Sequence, residues 1–267
     1  MKNILLLMHD DPGQQARLSV ALDLARVLGG HLTCLDVVEM PPAIVAGMDD
    51  CRATAMVLEC EQQRELANRA RTEPQLKASG LDFDWVETTG YLSPSVRDAA
   101  GLTDLIILNR ELAGGKPDMR EIAGEVLIGA GRPIIAVPEQ VRGFGAYGHA
   151  LIAWDGSKEA DAALRAAVPL LQHATAITLL EVQDGSVRAP ANAALDYLVM
   201  HGMTATIRRE SSMFDIPSTV ILDTIDSLGA AYLVMGGFGH SRFIEAALGG
   251  VTKRMLAECP VPVFLTH

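Results

Sequence analysis

The sequence predicts an α/β chain built as two tandem repeats, each a five-stranded parallel sheet with helices on both faces. Three observations lead there. Short apolar runs without polar alternation, such as Asn3 to Met8 and Asp104 to Leu108, suit strands buried on both faces. Segments with apolar residues at helical spacing lie between those runs, and strand–helix alternation implies a parallel sheet covered on both sides. The whole order then begins again past residue 148, and an internal repeat sets the architecture.

The elements follow in order. Pro12-Gly13 breaks the first strand, and Leu18, Leu22, Ala25 and Leu28 mark a helix that Gly29-Gly30 ends. His31 to Val38 is the second strand. Cys51 to Ala78 reads as a long helix closed by Gly80. Phe83 to Thr88 is the third strand, with a helix after Ser93. Asp104 to Leu108, a helix over Met119 to Ile128, and Ile134 to Val137 complete the first repeat. Val141 to Gly148 is Gly-rich and has no apolar run, so the linker lies there.

Ala150 to Trp154 repeats the first strand, and Ala160, Leu164, Ala167, Leu170 and Leu171 the first helix. Ala176 to Val182 is the next strand. Leu195, Leu198 and Val199 mark a shorter helix, and Thr204 to Arg208 another strand. Pro217 to Leu228 is a helix and Ala231 to Met235 the fourth strand. Val251, Met255, Leu256 and Cys259 mark the last helix, and Val263 to Leu265 the last strand. The domains expected are therefore 1–140 and 148–267, each near the usual domain size. The first is longer by its Met40 to Ala78 region.

Composition narrows the function classes. The chain has 267 residues, 49% of them hydrophobic, which excludes a disordered chain. Its 33 acidic and 22 basic residues give a formal charge of -11, which argues against a nucleic-acid or anionic-membrane partner. No apolar run approaches the length of a membrane span, and Ile4 to Met8 is too short for a signal-peptide core. Cys34, Cys51, Cys60 and Cys259 form no CxxC pair. They read as cysteines of a reducing cytoplasm, with neither a disulfide framework nor a zinc site expected.

The most informative stretch is Met235-Gly236-Gly237-Phe238-Gly239-His240-Ser241-Arg242, followed by Leu248-Gly249-Gly250-Val251-Thr252. It starts where the fourth strand of the second repeat ends, and ligands of open parallel sheets bind at the carboxyl ends of the strands. Gly236 and Gly239 let the backbone turn and approach a ligand closely. Gly249 and Gly250 open the last helix, where free N–H groups and the helix dipole suit an anion. Thr252 adds a hydroxyl on the first turn. Two glycine loops holding a phosphate are one reading; plain turn glycines are the other.

Gly236-x2-Gly239-x9-Gly249-Gly250 resembles the G-x2-G-x9-G-[S/T] signature of the universal stress protein family. The resemblance extends over the chain as two tandem domains, through Asp155-Gly156-Ser157, Ala231 to Gly236, the Gly-His-Ser-Arg turn and the closing Cys-Pro-Val-Pro-Val. It implies a universal stress protein-like, adenine nucleotide α-hydrolase-like fold. It further implies pairing through the last strand, as a pseudo-dimer within the chain or as a homodimer. It also implies ATP or a related adenine nucleotide as ligand, Mg possible with it, in a regulatory stress-response role. By the same resemblance Asp155 approaches the ribose and Val182 offers backbone groups to the adenine. Gly236, Gly239, His240, Ser241, Gly249, Gly250, Val251 and Thr252 surround the phosphates. Gly250 stands where the signature has Ser or Thr, which removes one hydroxyl contact of order 1 kcal/mol.

The first repeat departs further. Asn109-Arg110-Glu111-Leu112 lacks the loop glycines, and Arg120 and Glu121 align with Gly249 and Gly250. Gly114-Gly115-Lys116 offers a shifted loop with nothing to place it on a helix start. Asp10 or Asp11, at the acidic position, is expected to serve a turn or helix N-cap. His240 and Arg242 can neutralise a phosphate or face solvent. Lys253 and Arg254, and likewise Asp223 and Asp226, read as solvated helix faces. Ser157 reads as an N-cap, Trp85 and Trp154 as core or interface residues, and Met200, Met203 and Met213 as core fillers. The other histidines form no metal-binding pair. The competing functions are a nucleotide-free interaction protein that docks its partner on Met40 to Ala78, and a slow ATPase. The sequence shows neither a placed base nor a P-loop lysine for the latter.

Overall fold

A computed structural model describes residues 1–40, 51–110, 118–211, 216–239 and 250–267; of residues 51–54 it describes the backbone alone. The first half runs β1 (Asn3–Met8), α1 (Gln14–Leu28), β2 (His31–Glu39), α2 (Cys51–Ala78), β3 (Phe83–Gly90), α3 (Leu92–Ala99), β4 (Leu105–Asn109), α4 (Met119–Ala130) and β5 (Ile134–Val137). The second runs β6 (His149–Ala153), α5 (Lys158–Leu171), β7 (Ala176–Gln183), α6 (Ala191–Met200), β8 (Thr206–Ser211), α7 (Pro217–Leu228), β9 (Tyr232–Gly236), α8 (Gly250–Glu258) and β10 (Val263–Thr266).

The strands form one ten-stranded sheet in the order β3-β2-β1-β4-β5-β10-β9-β6-β7-β8. Each half therefore orders its strands third, second, first, fourth, fifth, and all pairs within a half are parallel. The halves meet through one antiparallel pair, with Ile135 opposite Phe264. The last strands thus pair with each other inside the chain.

Period-two alternation in the central strands feeds two cores. Ile4, Leu6 and Met8 belong to the core on the side of the sheet covered by α1, α2, α5 and α6, and Leu5 and Leu7 to the core on the side covered by α3, α4, α7 and α8. Both faces are covered, which explains why β1, β4 and β9 carry no polar alternation. Strand edges differ from the sequence reading by one to three residues: β6 starts at His149, and β8 spans Thr206–Ser211. Asp104 lies just outside β4, where its Oδ2 accepts from the backbone N–H groups of Lys2 and Asn3. No helix among the described residues is long and apolar enough to cross a membrane.

Candidate functional site

Between β1 and β4, and again between β6 and β9, the connections leave in opposite directions and open a crevice at the strand carboxyl ends. In the second half the crevice is built from four segments. After β6 the chain turns sharply: Asp155 Oδ1 accepts from the Ser157 N–H at 2.9 Å, and Ser157 Oγ accepts from the Ala160 N–H at 3.1 Å. Ser157 is therefore the N-cap of α5, as its sequence position suggests. Gly156 sits at φ +71, and a Cβ there would lie 2.2 Å from Ala189 N, so only glycine fits. The segment following β7 is pinned over this turn, since Arg188 N–H donates to Asp155 O (2.7 Å) and Trp154 Nε1 to Ala189 O (3.0 Å).

The third segment follows β9. A Cβ on Gly236 would come within 2.6 Å of Ala160 N and Glu159 C, so glycine is what lets α5 abut the strand end. A Cβ on Gly239 would meet the Glu159 carboxylate at 2.7 Å. Phe238, between them, holds a left-handed φ of 61, and its ring packs on Gly124 of α4 in the other half. The fourth segment is the start of α8.

These segments enclose a cavity of about 270 Å³. Asp155, Val182, Gly236, Gly239, Gly250, Val251 and Thr252 all line it. His240, Ser241 and Gly249 lie outside the described residues, as do Arg242, Met213 and the Gly114-Gly115-Lys116 run. The cavity has an apolar side of Ala153, Leu180, Val182, Pro217, Ile221 and Met235, and a polar side with Asp155, Glu159, Asp184, Ser186 and Thr252. An apolar wall together with a few carboxylates and hydroxyls is the lining of a small-molecule site.

Sequence reasoning missed Glu159. It is 2% exposed, and its Oε2 has no hydrogen-bond partner among the described residues. Lys158 Nζ is 3.6 Å from its other oxygen but stands in solvent. The available signal was an acidic residue two positions past the cap, on the side of α5 that meets Gly236 and Gly239.

The matching crevice of the first half is filled by its own side chains. Arg17 is fully buried. Its guanidinium pairs with Asp11 at 2.6 Å and donates to the carbonyls of Leu7 (3.1 Å) and His9 (3.2 Å). Asp11 also accepts from the Gly13 N–H at 2.7 Å, the turn role expected of it. Asp10 instead pairs with Arg71 of α2. Further in, α2 places Glu65 and Asn68 against His9 and Gln14, all buried. His9, Glu61 and Glu65 bring potential ligand atoms within 4.8 Å of one another. Arg64 already occupies that space: it pairs with Glu61 and lies 3.2 Å from His9 Nε2 and 3.3 Å from Glu65 Oε1.

Burial governs titration in this cluster. Burial and the Arg64 charge push His9 down to about 4. Burial, then Glu65 and Glu87, push Asp36 up to about 7 against the pull of Arg69. Glu65 is raised by burial as well.

Two sequence expectations need correction. Met200 does not fill the core: it ends α6 with its side chain 82% exposed, beyond the last turn that faces the sheet. Met203 is buried as expected. Arg254 is more than a solvated residue, since it donates to the hydroxyls of Ser218 and Thr219 on α7 and pairs with Glu258. Arg120 folds back on its own cap residue, with Nη2 2.6 Å from Asp118 Oδ2.

Comparison with known proteins agrees with this fold. Residues 208–267 match the universal stress protein family. A universal stress protein from Archaeoglobus fulgidus superposes with a TM-score of 0.77 over 99% of this chain and 95% of its own, at 18% identity. The chain has the tandem universal stress protein fold. A functionally unknown protein from Pseudomonas aeruginosa superposes at a TM-score of 0.59 and 15% identity, over 100% of this chain and 92% of its own. No curated protein matches in sequence. At these identities the structural likeness establishes fold, and the residues at the crevice decide what each universal stress protein-like half can bind.

Proposed function

We propose that this chain is a stress-response protein that binds ATP or a related adenine nucleotide in the cavity of its second half, in a regulatory and not a catalytic role. One observation carries the reading. Seven residues singled out from four separate sequence segments line a single cavity at the carboxyl ends of the strands. Its apolar side suits a purine, Asp155 keeps an oxygen for a ribose hydroxyl, and the start of α8 offers N–H groups to phosphate. Mg, where it accompanies the nucleotide, would arrive bound to the phosphates, and Asp155, Glu159 and Asp184 are the carboxylates of the lining. Occupancy shifts the population of the partner-competent state, and a ligand at 100 times its Kd adds about 2.7 kcal/mol of stability.

The domains under this reading are 1–140 and 148–267, with only the second able to take a nucleotide. Pairing of β5 with β10 forms the pseudo-dimer within one chain. A homodimer would use another surface. A cytoplasmic location is supported by the cysteines: Cys34, Cys60 and Cys259 are free, and Cys34 and Cys259 are buried thiols pushed up by burial to about 12 and 11.

Native mass spectrometry with ATP tests the reading. One nucleotide per chain, lost in Gly239→Val, is the expected result; no retained nucleotide at any concentration overturns it. A second reading, a nucleotide-free interaction protein, draws support from α2, which presents Met56, Val57 and Leu66 to solvent. Partner capture that survives removal of α2 would oppose it.

A further inference from the structure

The two ends of the cavity differ in a way that bears on which adenine ligand fits. At the nucleoside end the wall is apolar, from Leu180, Val182 and Ile221, and Asp155 stands ready to accept from a hydroxyl. Toward Gly239 the wall carries Glu159. This carboxylate is 2% exposed, and its Oε2 lies against Gly239 with no hydrogen-bond partner among the described residues. The charged side chains among the described lining residues are Asp155, Glu159 and Asp184, all acidic. A buried unpartnered acceptor calls for a donor or a cation, and it opposes an anion. Gly250, at the start of α8, brings no hydroxyl to that end.

We infer that Glu159 is the specificity-determining residue of this cavity: it selects the nucleoside end of the ligand, so that affinity falls as phosphates are added and adenosine outbinds metal-free ATP. The inference rests on the adenine reading given above. It assigns the binding energy to the apolar slot and Asp155, and the discrimination to one carboxylate. A phosphate brought beside Glu159 faces a like charge in a wall poor in water, where such repulsion is little screened. Mg bound to the phosphates would neutralise part of their charge, reduce that repulsion and narrow the gap between ATP and adenosine.

The experiment is calorimetric titration of the full chain with adenosine, AMP, ADP and ATP, with and without Mg, for the wild type and Glu159→Gln. The wild type is expected to bind adenosine at least about tenfold tighter than metal-free ATP, a difference of about 1.4 kcal/mol. Glu159→Gln is expected to tighten ATP by about tenfold and leave adenosine within about twofold, a change of the order expected from one charge-assisted contact. Wild-type ATP binding as tight as adenosine, or an unchanged ratio in Glu159→Gln, overturns the inference and leaves the adenine site standing. Binding of none of the four ligands overturns the adenine reading itself. Should Glu159→Gln fail to fold, the wild-type order and its Mg dependence decide: an ATP-to-adenosine ratio that Mg does not change overturns the inference.

Discussion

The two halves share a strand order and differ in what fills the crevice. β4 ends in Asn109 and β9 ends in Gly236, at the same place in their repeats. In the second half the bare backbone of Gly236 lets the first turn of α5 abut the strand end, and an open cavity remains beside it. In the first half a buried Arg17 holds Asp11, while α2 supplies Asn68, Glu65 and Arg64 to the rest of the space. The residue after each fourth strand also reaches across to the other half. Arg110 donates to the carbonyls of Met255 and Cys259 at the end of α8, a favourable place for a cation. Phe238 packs on Gly124 of α4. One fold thus supports a crevice kept open by glycine and another closed by ion pairs. The fold alone does not say which half binds.

The largest expected effect breaks the closed crevice. Arg17→Ala leaves Asp11 buried without its partner, and breaking a buried pair from one side costs about 3–5 kcal/mol. Urea unfolding measures it. A loss under about 1 kcal/mol would show that water enters and that the first crevice is not sealed.

The next effect is on pH dependence. Asp36 is held at about 7 in the fold against an ordinary 3.8, so the native chain keeps that proton longer than the unfolded chain does. Its contribution to stability therefore falls as pH rises from about 4 to 7. His9, lowered from 6.5 to about 4, acts oppositely: the unfolded chain binds its proton first, so stability rises over the same window. Asp36→Asn removes the first slope and leaves the second. The variant is expected to gain roughly 2–4 kcal/mol over wild type at pH 8 relative to pH 4. Its stability should climb between pH 4 and 6.5, where the wild type stays nearly flat. Unfolding curves across pH check both, and a parallel pair of curves would refute the buried-carboxylate account.

A third effect tests the glycine side of the comparison. Gly236→Val drives a Cβ into backbone at 2.6 Å, which flexible side chains cannot relieve. It should cost about 1–3 kcal/mol by overpacking and weaken adenosine binding at least about a hundredfold, because α5 must retreat from the cavity. Asn109→Val at the matching position should leave that binding unchanged. Equal losses in both variants would mean the cavity depends on overall stability and not on close approach.

Much of the fold was legible because both faces of the sheet are buried. Runs such as Ile4 to Met8 and Leu105 to Leu108 have no polar position to confuse with a helix face, and Gly29, Gly131 and Gly229 end their helices at left-handed φ values. Edge strands were placed less well, since Thr206–Ser211 has a single apolar residue, Ile207, followed by three charged ones, and pairs with β7 alone. At the crevice, the glycines were legible because a turn at a strand end demands them, and Asp155 because its place after β6 matches the family pattern. Glu159 and Arg17 were not, because each lies on a helix where an acidic or basic residue ordinarily faces solvent. Only the packing of a distant strand end makes these positions interior. The same holds for the α2 cluster, which meets His9 across more than fifty residues of chain.

The smallest effect separates framework from contact at the open crevice. Ser157 lines the cavity, yet its hydroxyl is engaged in accepting from the Ala160 N–H, and it is the Ser157 backbone N–H that Asp155 holds. The first half has Gly13 at the corresponding cap, with no side-chain hydrogen bond, and its α1 forms all the same. Ser157→Ala should therefore cost about 1 kcal/mol of stability, the usual value of an N-cap, by thermal or urea unfolding. Adenosine affinity should stay within about twofold, because the N–H that orients Asp155 survives the change. A larger loss of affinity than of stability would move Ser157 from the framework of α5 to the ligand, and would mean that its hydroxyl turns away from Ala160 when the cavity is filled.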